Sequence, residues 1–252
     1  MKFVRFNLSG EETVRSGILE GENIREFTGD LFAERQLTGH VFALEQVQLK
    51  APLIPKHIIG IGKNFVPEGA EKPPVPEMPI LFFKPLTTVV GPGDAVVLPK
   101  GTDGIKFESE LAVIIGKTAK NIEPDQTDDV IFGYTVANDL GAFNYFHPEG
   151  HWTIGKSFDT FCPIGPLIET DFDYRSARIQ ATVNGAAMQD APMERIITPI
   201  DVMISYISNF MTLMPGDVIL TGTPAGSDFV RSGDVVDCFI EGIGRLTNPV
   251  TD

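Results

Sequence analysis

Glycine and proline recur so often along this chain that long uninterrupted helices have little room. The 252 residues include 25 glycines and 19 prolines, about one residue in six. Glycine permits the backbone angles of tight turns, and proline removes a backbone hydrogen-bond donor, so both tend to end regular elements. The pattern therefore predicts many short strands joined by turns, and it argues against a helical bundle.

The segments between these turns carry the residue patterns of β-strands. In the clearest of them, residues 107–115, the charged side chains fall on one face and mostly apolar ones on the other. One helix is predicted, with Thr198 as N-cap, Pro199 at its first position and an end near Leu213. The result is an α+β fold that is mostly β, a sandwich or roll with few helices. Further strands are predicted at residues 1–7, 16–21, 46–49, 58–62, 80–83, 131–137, 218–220 and 235–240.

Two prolines, Pro52 and Pro55, divide the chain into two predicted domains. Residues 1–54 form a small β-rich N-terminal domain, and residues 55–252 form the larger domain. Within the larger domain, residues 64–78 contain four prolines, which are too many for a long helix. We expect a mobile loop or lid there.

The charge balance excludes several classes of partner. A formal net charge of -14, without any run of lysine or arginine, argues against binding to nucleic acid. No stretch reaches the roughly 18 apolar residues of a membrane-spanning helix, and the N-terminus lacks the apolar core of a signal peptide. Only two cysteines occur, Cys162 and Cys238, which fits a reducing compartment. We therefore expect a soluble cytoplasmic protein that binds neither nucleic acid nor membrane.

Common catalytic motifs are missing from the sequence. There is no phosphate-binding P-loop, no GxSxG nucleophile elbow and no HExxH zinc motif. His147 and His151 are four residues apart, but Pro148 and Gly150 disfavour the helix that would make them joint metal ligands. Cys162 lies in an apolar setting, which favours a packed thiol over a nucleophile.

Glu108 and Glu110 are the sequence's strongest sign of chemistry. Residues two apart on a strand share a face, so the carboxylates repel each other and, if buried, need a cation or a shared proton. Asp139, after the predicted strand 131–137, could supply a third oxygen ligand for Mg²⁺, Mn²⁺ or Ca²⁺. The spacing alone favours a simpler interpretation, a solvated acidic strand face. Lys106 lies on the same face and could itself be the cation.

Several ordered segments resemble the fumarylacetoacetate hydrolase family, in particular its acylpyruvate hydrolases and 2-hydroxyhepta-2,4-diene-1,7-dioate isomerases. Residues 107–117 are similar to the family's metal-binding strand, and residues 133–139 to its third-ligand region. Together the similar segments cover roughly residues 55–245. The other segments that are similar to the family are residues 60–65, 79–85, 90–94, 156–166 and 216–226.

The resemblance implies a mixed β-roll catalytic domain, usually in a homodimer, with Mg²⁺ or a similar ion held by Glu108, Glu110 and Asp139. Family members hydrolyse, isomerise or decarboxylate small acids in which a 2-oxo or enol group adjoins the carboxylate. The ion fits this chemistry, because a Lewis acid is needed where enolate charge develops.

The resemblance also implies substrate contacts. Lys156 occupies the lysine position that holds substrate oxygens, although a salt bridge to Asp159 is an alternative role for it. Thr223 matches a position that contacts substrate. Phe65 stands at the tyrosine position of the family's glycine-x-asparagine-tyrosine segment, and it is a further candidate for substrate binding.

The sequence departs from the family pattern in the lid. Hydrolytic members carry a histidine and a glutamate three residues apart there, and the pair activates water. Glu71 falls on the glutamate position, but Glu68 replaces the histidine. An exposed glutamate is a much weaker base near pH 7 than histidine. The alternative is that both are solvated loop glutamates, and the sequence favours neither interpretation.

A second departure follows Asp139. The family often continues with Ala-Arg-Asp and then Gln, whose arginine and glutamine grip the substrate. Here Phe143 and Phe146 occupy those two positions, so this wall of the substrate site should be apolar. Lys106 stands where the family often has aspartate or histidine before the first metal ligand.

The leading prediction is a divergent metal-dependent enzyme that acts on a 3-acylpyruvate-like acid by carbon–carbon hydrolysis, decarboxylation or tautomerisation. Glu71 and Glu68 would activate water in hydrolysis, while the metal and Lys156 would take up enolate charge in every case. The alternative is a catalytically degenerate relative that serves as a binding or scaffold protein. A Lys106 ammonium group between the glutamates would favour that alternative.

Overall fold

The computed structural model describes residues 1–102 and 104–252, and β-strands dominate it. The first ten strands are β1 (Lys2–Leu8), β2 (Arg15–Glu20), β3 (Asn23–Gly29), β4 (Arg35–Ala43), β5 (Val47–Lys50), β6 (Ile58–Gly62), β7 (Ile80–Lys84), β8 (Val89–Val90), β9 (Val96–Val97) and β10 (Ile105–Lys106). The remaining nine are β11 (Ser109–Ile115), β12 (Ile131–Asn138), β13 (Cys162–Glu169), β14 (Arg178–Val183), β15 (Ala186–Pro192), β16 (Val218–Leu220), β17 (Phe229–Val230), β18 (Val235–Ile240) and β19 (Gly244–Thr251).

Helices are few within the described residues, as the sequence predicts. The one α-helix is α1 (Ile200–Phe210). Short 3-10 helices lie at Leu44–Gln46, Leu86–Thr88, Pro124–Asp129, Phe143–Tyr145, Tyr174–Ser176 and Met193–Arg195. The mostly β, α+β fold class is therefore confirmed.

The ends of α1 differ from the prediction. Pro199 is the N-cap residue, and no side chain caps the helix. Among the described residues, the buried Thr198 hydroxyl has no hydrogen-bond partner, while the Thr198 backbone N–H donates to the Asn64 side chain. The helix ends at Phe210 rather than Leu213, since Met211 adopts an extended conformation.

Twelve strands form one large sheet, in the order β4-β3-β2-β1-β13-β12-β11-β16-β6-β7, with β5 on β1 and β8 on β13. Most neighbours are antiparallel, but β16 and β6 are parallel, as are β13 and β8, which makes the sheet mixed. The N-terminal strands continue this sheet, because β1 pairs with β13. The boundary between residues 54 and 55 stays a prediction, as does the homodimer.

A second sheet of five strands, in the order β15-β14-β18-β19-β9, packs over the centre of the first. The main apolar core lies between the two sheets, and a smaller cluster covers the opposite face of β11 and β13. Every residue of β11 is consequently buried. No helix among the described residues has the length and apolar character needed to span a membrane.

Candidate active site

Three carboxylates meet where two central strands end. Strands β11 and β12 are antiparallel with Ser109 opposite Asn138, so the start of β11 lies beside the end of β12. Glu108 immediately precedes β11, Glu110 is within it, and Asp139 immediately follows β12. One oxygen from each carboxylate lies within 4.8 Å of the others. The alternative of a solvated acidic face is wrong, because Glu110 and Asp139 are almost fully buried.

Two buried lysines neutralise part of this charge. The Lys156 ammonium group donates to Glu108 Oε2 and Asp139 Oδ2, both at 2.6 Å, and to the Asp139 carbonyl oxygen at 2.9 Å. All three of its protons are thereby engaged. Lys84, at the end of β7, donates to Asp139 Oδ1 at 2.5 Å and to the Leu140 carbonyl oxygen. Lys156 therefore does not use Asp159 as its partner.

Burial and neighbouring charges shift the pKa values of these groups in opposite directions. Desolvation raises the pKa of Glu110 well above 4.5, and the carboxylates of Asp139 and Glu108 raise it further. Desolvation likewise raises the pKa of Glu108, against the opposing effect of Lys156. Desolvation would also raise the pKa of Asp139, but the ammonium groups of Lys156 and Lys84 outweigh it and the pKa is lowered. Burial works against the charge on Lys156, yet its carboxylate partners raise its pKa.

The expectation that Lys106 could be the cation of this cluster is wrong. Its ammonium group lies over two aromatic rings instead, 5.0 Å from the centroid of Phe143 and 5.1 Å from that of Phe229. Lys106 belongs to the short strand β10, where it lies opposite Phe229 of β17, and the carboxylates pair with Lys84 and Lys156 instead.

The donor set suits a hard divalent cation. When all three carboxylates are ionised, their three negative charges face two positive ones from Lys84 and Lys156, which leaves an excess of one negative charge in a buried space. Oxygen-only ligands are those that Mg²⁺, Mn²⁺ and Ca²⁺ prefer. A divalent cation would also relieve the like-charge repulsion that raises the pKa of Glu110. Glu108, Glu110 and Asp139 could therefore hold such an ion.

The carboxylates and Lys156 form the floor of a cavity of about 360 Å³. This volume suits a small-molecule ligand. Thr223 also lines the cavity, and its hydroxyl is fixed by accepting from Gln189 and donating to the Ser109 carbonyl oxygen. The complete lining consists of Ile61, Gly62, Lys63, Phe82, Glu108, Glu110, Asp139, Phe143, Phe146, Trp152, Lys156, Gly222 and Thr223.

Four aromatic rings form one wall of this cavity. Phe143 stacks on Phe146 with centroids 4.5 Å apart, and Phe146 stacks on Trp152 at 5.9 Å. Trp152 meets Phe82 edge-on at 5.7 Å. We call these four residues the aromatic wall. Both phenylalanines that replace the family's arginine and glutamine thus face the cavity.

Glycines make room for these rings. A Cβ on Gly60 would overlap the ring of Phe82, and one on Gly62 would overlap the indole of Trp152. The glycines of β6 are therefore required by side chains that lie across the strand.

The structure does not bring the lid glutamates to the cavity. Glu68 and Glu71 are exposed, and neither lines it. Arg195 holds this segment in place by donating to the carbonyl oxygens of Pro67 and Ala70. Phe65 does not line the cavity either, because it is buried and its backbone bridges to Ile196.

Comparison with known proteins decides the family. Residues 57–251 match the family described as fumarylacetoacetate (FAA) hydrolase C-terminal, and residues 1–52 match the one described as Rv2993c-like, N-terminal. The chain belongs to the fumarylacetoacetate hydrolase family. Members of this family are enzymes, among them hydrolases, isomerases and a tautomerase, that act on small oxo-acids.

Named relatives illustrate that range. Oxaloacetate tautomerase fahd2, mitochondrial, from Xenopus laevis is 38% identical over 225 residues, which cover 84% of this chain and 70% of the relative. The crystal structure of 2-hydroxyhepta-2,4-diene-1,7-dioate isomerase from Mycobacterium marinum superposes with a TM-score of 0.90 at 38% identity and covers 100% of this chain and 98% of that one. The crystal structure of maleylpyruvate hydrolase from Sphingobium sp. SYK-6, in complex with manganese(II) ion and pyruvate, has a TM-score of 0.83 at 30% identity and covers 100% and 99%.

Sequence reasoning about the fumarylacetoacetate hydrolase site missed Lys84, Phe82 and Trp152. Lys84 directly follows the apolar residues of β7, and a lysine at the end of a buried strand is a weak signal for a buried ion pair. Trp152 lies in an irregular segment, whose placement depends on its packing over Gly62.

Proposed function

We propose that this protein is a divalent-metal-dependent enzyme that stabilises the enolate of small 2-oxo carboxylic acids, and that it catalyses keto–enol tautomerisation or double-bond isomerisation rather than carbon–carbon hydrolysis. The observation that carries the proposal is the floor of the cavity. There, Lys156 lies 2.6 Å from oxygens of both Glu108 and Asp139, while the lid glutamates lie outside.

Lys156 would hold the developing enolate. Because the carboxylates around it raise its pKa, the group stays protonated and acts as a fixed hydrogen-bond donor rather than as a base. Its three protons are already directed at Glu108 and Asp139. A substrate oxygen that replaces Glu108 Oε2 as acceptor keeps the number of hydrogen bonds constant. Such preorganised donors stabilise oxyanions strongly, because they need no reorientation during reaction.

Glu108, Glu110 and Asp139 would hold Mg²⁺, Mn²⁺ or Ca²⁺, and the bound ion would supply Lewis-acid stabilisation of the enolate oxygen. The manganese ion and pyruvate in the crystal structure of the Sphingobium maleylpyruvate hydrolase support this assignment. Asp139 is the best prepared ligand, because two lysines keep it ionised.

The lid favours tautomerisation over hydrolysis. Hydrolysis needs a base that deprotonates water beside the substrate, and the two candidates, Glu68 and Glu71, are exposed outside the cavity. Tautomerisation removes the proton of the enol oxygen and adds one proton to carbon, and it needs no attacking water. The aromatic wall supports the same choice, since Phe143 and Phe146 present apolar surface where a hydrolase would hold water and a polar substrate chain.

A spectrophotometric assay of enol oxaloacetate tests the proposal. We expect the protein with Mg²⁺ or Mn²⁺ to accelerate ketonisation, and we expect EDTA and Lys156→Met to remove the acceleration. Glu71→Gln, which changes a carboxylate outside the cavity, is the matched control and should retain it.

Two results would contradict this proposal. Rapid hydrolysis of an acylpyruvate without any tautomerase activity would assign the site to carbon–carbon hydrolysis. Absence of both activities, together with absence of calorimetric metal binding, would support the scaffold alternative.

A further inference from the structure

Lys63 is an unusual residue on the rim of the cavity. It lines the cavity, its side chain is exposed, and its backbone has a φ of 55°, in the left-handed region. This region disfavours any residue with a Cβ, and asparagine tolerates it better than lysine does. Two of the other three non-glycine residues with positive φ among the described residues are asparagines. A lysine here therefore has a conformational cost without a gain in packing.

The neighbouring residue fixes this conformation. The Asn64 side chain donates to the Thr221 and Thr198 carbonyl oxygens and accepts from the Thr198 backbone N–H. These buried hydrogen bonds determine where the chain leaves β6, so Lys63 is held at the rim by its surroundings. Strained residues that persist because their surroundings hold them tend to occur at functional sites.

Lys63 also differs from the other lysine of the cavity in its charge environment. Lys156 is committed to Glu108 and Asp139. Across residues 1–102 and 104–252, Lys63 forms neither an ion pair nor a side-chain hydrogen bond. Its charge is consequently available to an anionic ligand.

The aromatic wall connects the floor to Lys63. At the floor, the Lys156 ammonium group lies 5.4 Å from the centroid of the Phe82 ring. The neighbouring ring, Trp152, packs over Gly62, the residue that immediately precedes Lys63. A ligand chain that leaves the floor along Phe82 and Trp152 therefore arrives at a free cation.

We propose that Lys63 selects substrates with a second carboxylate, by pairing with that group while the oxo-acid head occupies the floor. The inference rests on the proposed function, because it requires the head to bind at Glu108, Glu110 and Asp139. The substrate class is then a 2-oxo or enol dicarboxylic acid whose chain lies against the aromatic wall.

Calorimetric titration of the Mn²⁺-loaded protein with two matched acids tests this role. The acids are 2-oxoadipate and 2-oxohexanoate, which have the same oxo-acid head and the same number of carbons but differ in the terminal carboxylate. We expect 2-oxoadipate to bind about fivefold more tightly, the effect of one partly exposed ion pair. This preference should decrease with added salt, because exposed charges are screened.

Variants at residue 63 identify the residue responsible. Lys63→Met should abolish the preference by weakening 2-oxoadipate alone, and Lys63→Arg should restore it. Lys63→Asn, which suits the left-handed backbone, should behave like Lys63→Met and so exclude a folding defect as the cause. Lys106→Met is the matched control, because it removes a cation near Phe143 at the far end of the aromatic wall.

The outcomes separate the two proposals. If neither acid binds the loaded protein, the proposed function fails. If both acids bind equally to the wild-type protein, or if the preference survives Lys63→Met, the role of Lys63 is overturned while the proposed function stands. If Lys106→Met loses the preference instead, the second carboxylate binds at the opposite end of the aromatic wall, and the role of Lys63 is overturned as well.

Discussion

The floor of the cavity and the lid segment, residues 64–78, both carry glutamates, but the fold treats these glutamates differently. Glu110 is buried at the junction of two central strands and lies beside two other carboxylates and Lys156. Glu68 and Glu71 are exposed on a proline-rich connection between β6 and β7. The same side chain is a strong candidate ligand in one region and an ordinary solvated acid in the other.

The difference shows that burial and neighbouring charge, rather than residue type, determine which carboxylate can do chemistry. At the floor, desolvation and repulsion raise the pKa of Glu110, and lysines compensate part of the charge. On the lid, water screens each glutamate, so its charge has little effect on its surroundings. Substitutions in the two regions should therefore differ in size.

Loss of the Lys156 ammonium group should have the largest effect. We expect Lys156→Met to lower tautomerase activity about a thousandfold, because a preorganised donor to the enolate is removed. It should also lower the free energy of unfolding by about 3 kcal/mol or more, since Glu108 and Asp139 lose a buried partner. Steady-state kinetics and urea unfolding measure the two effects. Lys106→Met is the control, and an equal loss in both variants would contradict the role of Lys156.

The second-largest effect is expected on metal affinity, which should change in a floor variant and stay constant in a lid variant. Glu110→Gln keeps the shape of the side chain but removes a charged ligand, so we expect Mn²⁺ to bind about a hundredfold more weakly. Glu71→Gln should leave the affinity unchanged, because Glu71 lies outside the cavity. Calorimetric titration of metal-stripped protein measures both variants. A site that includes the lid would instead show weaker binding in Glu71→Gln.

The pH dependence of stability distinguishes the two environments without an activity assay. Because the folded state raises the pKa of Glu110 above 4.5, ionising this group weakens the metal-free fold. The stability associated with Glu110 is therefore complete below about pH 4.5 and is lost as the pH rises through the folded-state pKa.

Glu110→Gln should consequently stabilise the EDTA-treated protein at pH values above the folded-state pKa of Glu110, by about 1.4 kcal/mol for each unit of pKa shift. The advantage should shrink as the pH falls toward 4.5, because wild-type Glu110 becomes protonated below its raised folded-state pKa. Urea unfolding across this range measures the gap between the two proteins. A gap that is constant with pH would show that Glu110 does not titrate in this way.

The smallest effect is expected on the lid. Glu68→Gln and Glu71→Gln, alone or combined, should change tautomerase activity by no more than about twofold, because screened surface charges contribute little. Kinetics with enol oxaloacetate measure this. A tenfold loss in either variant would show that the lid glutamates reach the substrate during turnover and would remove the distinction between the regions.

Much of the fold and floor could be predicted from the sequence because the relevant information is local. The glycine and proline spacing predicts short strands, and β6, β7, β12, β16 and β18 lie where the patterns place them. Strand β4 was not predicted, and most of its residues are exposed, the apolar Leu37 and Val41 among them. The ends of α1 differ from the prediction at both termini, where Pro199 is the N-cap and Met211 adopts an extended conformation.

The sequence by itself, through its resemblance to the family's metal-binding segments, singled out Glu108, Glu110 and Asp139 as candidate ligands. Only the tertiary structure decided which cation accompanies them. Lys106 is nearest in sequence, but its ammonium group lies over Phe143 and Phe229, whereas Lys84 and Lys156 come from distant segments. The reason is physical: strand periodicity is a short-range property of the chain, whereas the pairing of buried charges depends on which segments the sheets bring together.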